Sequence, residues 1–336
     1  MRGKLFSLLF LLHGFVSYSQ IIKGTVLDAK TKAPIETATV YFDNTTIGAI
    51  TNSKGEFTIK YSDAIQSPLI ISFLGYKKQV ITDYREKNTI TVFLEENHES
   101  LNEVIVNAND GLTRKQKLRF FRKEFLGTSR FGKSCTILNE EDIILRYDRK
   151  QRVLRGYSKS PIRVENKALQ YYITYDLTSF ILRFMPRGSS NNTFDVRSVG
   201  FFGSTYYKDF EIFNKEKAIK NRNKAYAGSR LQFMRALYAQ KFAENKFQLF
   251  FKSTRIEDPW EYIYIETKNG TEIKRVSLRQ PLNILFNNWE KSSIEFLAPS
   301  IFIDFFGNYT NVDKVRFTGV MGEQRVGELL PFDYGL

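Results

Sequence analysis

Two hydrophobic rhythms divide the chain. From Gln20 to about Glu96 the apolar residues come in short runs separated by turn residues. Thr39-Val40-Tyr41-Phe42 and Thr89-Ile90-Thr91-Val92-Phe93 alternate as a strand with one buried face does. The runs predict strands at 21–27, 38–42, 57–60, 69–73, 78–81 and 89–94. Turn signals fall between them, at 28–34, 43–44, 52–55 and 62–68. Six or seven short strands in a segment this size predict an antiparallel β-sandwich.

The rhythm changes after residue 112. Leu118, Phe121, Phe125 and Leu126 follow helical spacing, with Lys and Arg on the opposite face. Strands are predicted at 143–147, 153–157, 162–164, 169–180 and 194–207. Helices follow at 214–225 and 229–244, the second with Ser229 as N-cap and an apolar stripe of Leu231, Met234, Leu237, Tyr238 and Phe242. Strands resume at 247–253, 262–267, 271–277, 293–297, 301–306 and 315–319. This mixture predicts an α+β domain, two or three helices against an antiparallel sheet. The expected layout is a leader at 1–19, a sandwich at 20–96, a linker at 97–112 and the α+β domain at 113–336.

The leader is expected from Arg2 and Lys4, the apolar run at 5–12, and Ser17 and Ser19 at −3 and −1 of a cut before Gln20. The run is too short for a membrane anchor, which needs roughly 20 apolar residues. Charges interrupt every later apolar stretch, so no transmembrane segment is expected.

Composition sharpens this picture. The chain has 336 residues, 42% hydrophobic and 15% aromatic, which excludes a disordered or collagen-like chain. Its net charge of +14 is unevenly spread: residues 20–107 carry 9 basic and 11 acidic side chains, residues 108–336 carry 39 and 25. No nucleic-acid recognition motif accompanies the basic half, and export removes that target. A lone Cys, Cys135, makes no internal disulfide and reads as a small buried hydrophobe.

The first unit carries a specific resemblance. Ile22-Lys23-Gly24-Thr25-Val26-x-Asp28, Pro34-Ile35-x-x-Ala38-x-Val40, Thr51-Asn52-x-x-Gly55-x-Phe57-x-Ile59 and Ile71-Ser72-Phe73-x-Gly75-Tyr76 resemble the carboxypeptidase regulatory-like domain. The resemblance implies a transthyretin-like, Ig-like sandwich. In it Gly24 is expected where a neighbour leaves no room for a side chain, Gly55 in a hairpin turn, and Phe57 and Ile59 in the core. The second unit, through Phe125–Leu126–Gly127–Thr128–Ser129, Tyr175-Asp176-Leu177, Phe202-Gly203, Tyr226-x-Gly228-Ser229 and Leu330-Pro331-x-Asp333-Tyr334, resembles the C-terminal part of exported regulatory-domain proteins of Gram-negative bacteria. That family supplies no catalytic residues to carry over.

Zinc carboxypeptidase chemistry is disfavoured by count. Such a site takes about three protein ligands, usually including His, and after the leader only His98 remains, in an acidic linker. The same His would have to serve any Ser-His-Asp triad. Gly127 to Ser134 matches the P-loop spacing G-x-x-x-x-G-K-[ST], but a helix precedes it and a strand follows, the reverse of what phosphate binding needs. No catalytic, cofactor-binding or metal-binding residue is therefore assigned, and no cofactor is expected. The expected role is a non-catalytic envelope protein, periplasmic or outer-membrane-associated, whose partner is an envelope protein, a glycan or an anionic lipid surface. Tyr171-Tyr172, Tyr206-Tyr207 and Trp260 are the rings that a sugar would stack on. One alternative is a hydrolase using paired carboxylates, at Glu140-Glu141-Asp142 or Glu257-Asp258. Another is kinship with the N-terminal extension of TonB-dependent receptors, prompted by Leu101-Asn102-Glu103-Val104-Ile105-Val106. Oligomeric state stays open.

Overall fold

The computed structural model describes residues 19–62, 66–87, 89–97, 110–186, 194–212, 214–267 and 272–336. The expected leader at 1–19 lies outside the described residues except for Ser19, which opens the first strand; His98 and the run 101–106 lie outside them too.

The first unit contains seven strands: β1 (Ser19–Asp28), β2 (Thr39–Phe42), β3 (Gly48–Ile50), β4 (Glu56–Ser62), β5 (Leu69–Ser72), β6 (Gln79–Ile81) and β7 (Thr89–Leu94). They form two sheets, ordered β4-β1-β7 and β3-β2-β5-β6. The predicted sandwich is thus present, with one departure: β7 runs parallel to β1. The chain crosses to the other sheet through β5 and β6 before returning, so β7 arrives in the direction β1 took.

Local details follow the residues. Beside Gly24, a Cβ would lie 2.4 Å from the Ile90 carbonyl oxygen, so the parallel β1–β7 pairing requires glycine there. Gly55 closes the β-turn after Asn52 with a φ of +73°, and the Asn52 side chain accepts from Lys54 N–H and Glu56 N–H at 2.9 Å each. Phe57 and Ile59 are buried. One member of this core is foreign: Phe306, more than 200 positions on, packs into it, with Phe332 against its margin.

The second unit opens with α1 (Arg114–Leu126). Thr113 and Gln116 form a capping box, and Phe121, Phe125 and Leu126 are buried as predicted. The strands β8 (Cys135–Ile137), β9 (Ile143–Asp148), β10 (Val153–Ser158), β11 (Ile162–Asn166), β12 (Tyr171–Phe184) and β13 (Val196–Asp209) build a six-stranded antiparallel sheet beneath α1. The 14-residue β12 is bordered on one edge by β11 and then β10, and along the other by β13.

Two helices follow, α2 (Lys215–Tyr226) and α3 (Arg230–Ala239), capped by the side chains of Asn214 and Ser229. α3 is shorter than predicted because Gln240 takes a left-handed conformation. Phe242 still reaches the core, stacking on Phe233, which the predicted stripe omitted.

The remaining strands are β14 (Phe247–Phe251), β15 (Thr254–Arg255), β16 (Ile263–Thr267), β17 (Lys274–Leu278), β18 (Leu282–Phe286), β19 (Glu290–Phe296), β20 (Ile301–Ile303) and β21 (Val315–Thr318), with a short α4 (Gly319–Gly322). They make a five-stranded sheet, β15-β14-β18-β19-β21, and a three-stranded one, β16-β17-β20. The α+β reading holds, but over three antiparallel sheets with two separate cores, one under α1 and one under α3.

Candidate functional site

The two units are joined through the loop between β2 and β3. Asn44 N–H donates to the Thr205 carbonyl at 2.7 Å and Tyr207 N–H to the Thr45 carbonyl at 3.0 Å. Thr205 N–H donates to Asp43 Oδ1 at 2.7 Å, and the hydroxyls of Tyr41 and Ser204 meet at 3.1 Å. Lys78 pairs with Asp176 at 2.9 Å. The C-terminal segment straps the same loop from the other side. Phe332 N–H donates to the Asn44 carbonyl at 2.6 Å, and Asp333 accepts from the Thr46 N–H at 3.0 Å and from the Thr46 hydroxyl. Arg235 of α3 fastens this segment: its guanidinium donates to the carbonyls of Phe306, Phe332 and Tyr334 at 3.1, 2.7 and 2.8 Å. A planar fork of donors is suited to three carbonyls from two stretches of chain.

Along this seam lies a half-open cavity of about 480 Å³. The sandwich contributes Asp43 and Asn44; β12 and β13 contribute Tyr175 and Tyr207. Arg230 comes from the first turn of α3, Tyr309 from the loop after β20, and Arg325 from the segment after α4. Leu231, Met234, Phe317 and Leu330 add apolar wall. Burial pushes the Asp43 carboxyl up to about 6 and raises the phenols of Tyr175, Tyr207 and Tyr309 above their usual range. Arg325 is lowered by burial, and it faces Glu124 at 3.6 Å.

The residues singled out in the sequence go elsewhere. Glu140 forms a two-pronged ion pair with Arg122 of α1. Asp142 accepts from the Asn139 side chain at 3.0 Å and from the Ser160 hydroxyl, which holds its carboxyl below the usual range. Glu257 is exposed beside Arg255 at 3.7 Å, and Asp258 caps a short 3₁₀ turn by accepting from Trp260 N–H. Those carboxylates thus serve ion pairs and turns. Tyr171 and Tyr207 are core, Tyr206 packs on Tyr41 across the seam, and Tyr172 packs on Phe210. Trp260 stacks on Phe242 beside a second cavity of about 520 Å³.

Cys135 is half-buried, and burial pushes its thiol up to about 12, away from reactivity. The P-loop spacing is a packing device: Gly132 and Gly327 bring two backbones together, and a Cβ on Gly132 would lie 2.5 Å from the carbonyl oxygens of Leu126 and Gly127. Among the described residues no three His, Cys, Asp or Glu side chains gather as a metal site, and no helix is long and apolar enough to cross a membrane.

Arg230, Tyr309 and Arg325 were not anticipated. The available signal was the set of motifs behind the second resemblance. Tyr175, Phe202, Gly203, Ser229 and Leu330 all line the cavity, although they are scattered along the sequence.

No curated protein matches the chain. Among solved structures, a 9R-lipoxygenase from Cyanothece PCC8801 is similar at 10% identity and a TM-score of 0.19, over 67% of this chain and 49% of its own. The chain thus spans about half the length of that enzyme. A proposed carbohydrate-binding protein from Bacteroides uniformis ATCC 8492 is similar at 8% identity and a TM-score of 0.17, over 84% of this chain and 98% of its own. The family likeness belongs to the sandwich: residues 22–106 match the CarboxypepD_reg-like domain.

Proposed function

We propose that this chain is a non-catalytic binding or accessory protein of a Gram-negative cell envelope, exported to the periplasm or the outer membrane. The observation that carries the reading is the seam cavity, which takes residues from both units and places three arginines and three phenols around one space. A regulatory-like sandwich locked onto a second unit, with a small-molecule-sized space between them, is suited to recognition. The basic start at Arg2 and Lys4 with its apolar run supports export.

The competing hydrolase reading needs two carboxylates facing each other across a cleft. Of its sequence candidates, Glu140, Asp142, Glu257 and Asp258 are committed to ion pairs and turns instead, and Glu141 is exposed.

The test is photo-crosslinking in intact envelopes from position 312 or 202. Val312 and Phe202 line the cavity and are exposed. Adducts to an envelope component from these positions, absent from the same protein placed in the cytoplasm, are expected. Measured turnover of a cell-wall or glycan substrate, with no adduct, would overturn the reading.

A further inference from the structure

The ionic groups of the seam cavity are almost all committed. Arg316 pairs with Glu295 at 2.8 Å, and Asp313 with Lys314 at 3.1 Å. Arg325 faces Glu124 and donates to the carbonyls of Gly322 and Gln324 at 2.9 and 3.0 Å. Glu328 accepts from the Arg325 N–H at 3.2 Å, and Asp43 from Thr205 N–H. Arg230 differs. Its backbone N–H donates to Gln324 Oε1 at 3.0 Å, yet its guanidinium makes no hydrogen bond or ion pair among the described residues. A guanidinium cannot shed its charge, so a partly buried one without a counter-ion favours an anion from outside.

Three neutral donors stand in the same field. The charge of Arg230 acts on the phenols of Tyr175, Tyr207 and Tyr309. Tyr175 and Tyr207 are 5% and 1% exposed. Burial keeps all three protonated, and none of their hydroxyls has a hydrogen-bond partner among the described residues. Around them the wall is apolar, from Phe201, Leu231, Met234, Phe317 and Leu330. Asp304 Oδ2 is the one buried side-chain N or O atom without a partner among the described residues, so these hydroxyls open onto the cavity, where they are free to meet an acceptor.

Resting on the reading of the seam as a binding site, we infer that the cavity takes a small organic monoanion with an apolar body, its carboxylate held by Arg230 and by the hydroxyls of Tyr175, Tyr207 and Tyr309. One uncommitted cation matches one negative charge, and a guanidinium fork matches a carboxylate's two oxygens. The cavity's size falls within the range of roughly 300–1,000 Å³ usual for small-molecule sites. Its apolar wall argues against a free sugar; the exposed rings of Tyr172 and Trp260 lie outside it. Asp43, on the sandwich side, acts on two of the same phenols and opposes the anion when ionised.

The test is calorimetric titration of the full chain with decanoate, decyl phosphate and decanol. Saturable one-site binding of decanoate is expected, at least tenfold tighter than decanol and tighter than decyl phosphate. Arg230→Gln should weaken decanoate at least tenfold and leave decanol unchanged. Tyr175→Phe keeps the ring and its packing and should weaken decanoate severalfold. It serves as the second variant if Arg230→Gln melts early. Equal binding of decanol and decanoate, or indifference of decanoate to both substitutions, would overturn the inference and leave the seam a binding site. Tighter binding of decyl phosphate would overturn the carboxylate assignment. Binding of none of the three, with turnover of a cell-wall substrate, would overturn the inference and the binding reading together.

Discussion

The turn after β1 and the seam handle buried carboxylates in opposite ways. Asp28 is buried, yet its turn supplies everything it needs: N–H groups of Thr31 and Lys30 at 2.6 and 2.9 Å, the Thr31 hydroxyl at 2.9 Å and the Tyr76 hydroxyl at 2.8 Å. Those donors, led by Thr31 N–H, hold its carboxyl down to about 2. At the seam, Asp304 is 3% exposed and accepts from Asn308 N–H at 2.9 Å, while its Oδ2 has no partner. Burial pushes it up to about 7, and Asp43 up to about 6. The turn is assembled from residues a few positions apart, with Tyr76 added. The seam is assembled from residues hundreds of positions apart, and its geometry leaves one oxygen of Asp304 without a donor. Local chemistry can be satisfied locally; a joint between units carries residual demand.

The strongest way to break the comparison is to remove the seam's apolar anchor. Phe306→Ala should cost about 3–5 kcal/mol in denaturant unfolding, because the ring fills the sandwich core. A cost below about 1 kcal/mol would mean that the sandwich core is complete without it.

Arg235→Met follows. Three carbonyls lose a charged donor, and a loss of about 3 kcal/mol is expected by the same measurement. Equal stability of this variant would show that Asp333 and Phe332 hold the strap unaided.

pH separates the two regions next. A folded value near 7 for Asp304 and near 6 for Asp43 means stability that is full below the unfolded value near 4 and lost as pH rises through 6–7. Asp28, depressed to about 2, works the other way: its stability is present above the unfolded value and lost as pH falls from about 4 toward 2. Melting temperature should therefore peak between about pH 4 and 6. The charged groups acting on Asp43 include Lys78 across the seam, which offsets part of its rise. Asp304→Asn should raise melting at pH 8 by on the order of 2–4 °C and leave it unchanged near pH 4.5. A wild-type optimum near pH 8 would contradict this assignment.

The smallest effect belongs to Tyr41→Phe, which loses a single hydroxyl contact with Ser204 across the seam. About 1 kcal/mol is expected in the same unfolding measurement.

The same contrast explains what could be read in the sequence. The sandwich was legible because β7 alternates cleanly and the turn at Asn52 to Gly55 is local, whereas β2 buries Val40, Tyr41 and Phe42 alike, Tyr41 being covered by Ser204 and Tyr206 across the seam. β3 escaped notice at three residues, and β18 did too, although it lies at the centre of its sheet. Its Leu282-Asn283-Ile284-Leu285-Phe286 follows Pro281 with little polar alternation. Thr113 and Ser229 announced their helices through caps. Arg230 was invisible as a site residue, because nothing near it in sequence reveals that it lines one cavity with Tyr175, Tyr207 and Tyr309. The carboxylate clusters drew attention because adjacent acidic residues stand out in a sequence, yet neighbours in sequence need not face one another.

Phe306, Phe332 and Asp333 leave the ribosome more than 200 residues after the last strand of the sandwich. An early sandwich can pair its strands, but its core stays open at one place and the loop at 43–47 stays untied until those residues arrive. The first unit to be made is therefore among the last to be finished. A chain cut short before residue 306 should carry a sandwich whose core is open at that place.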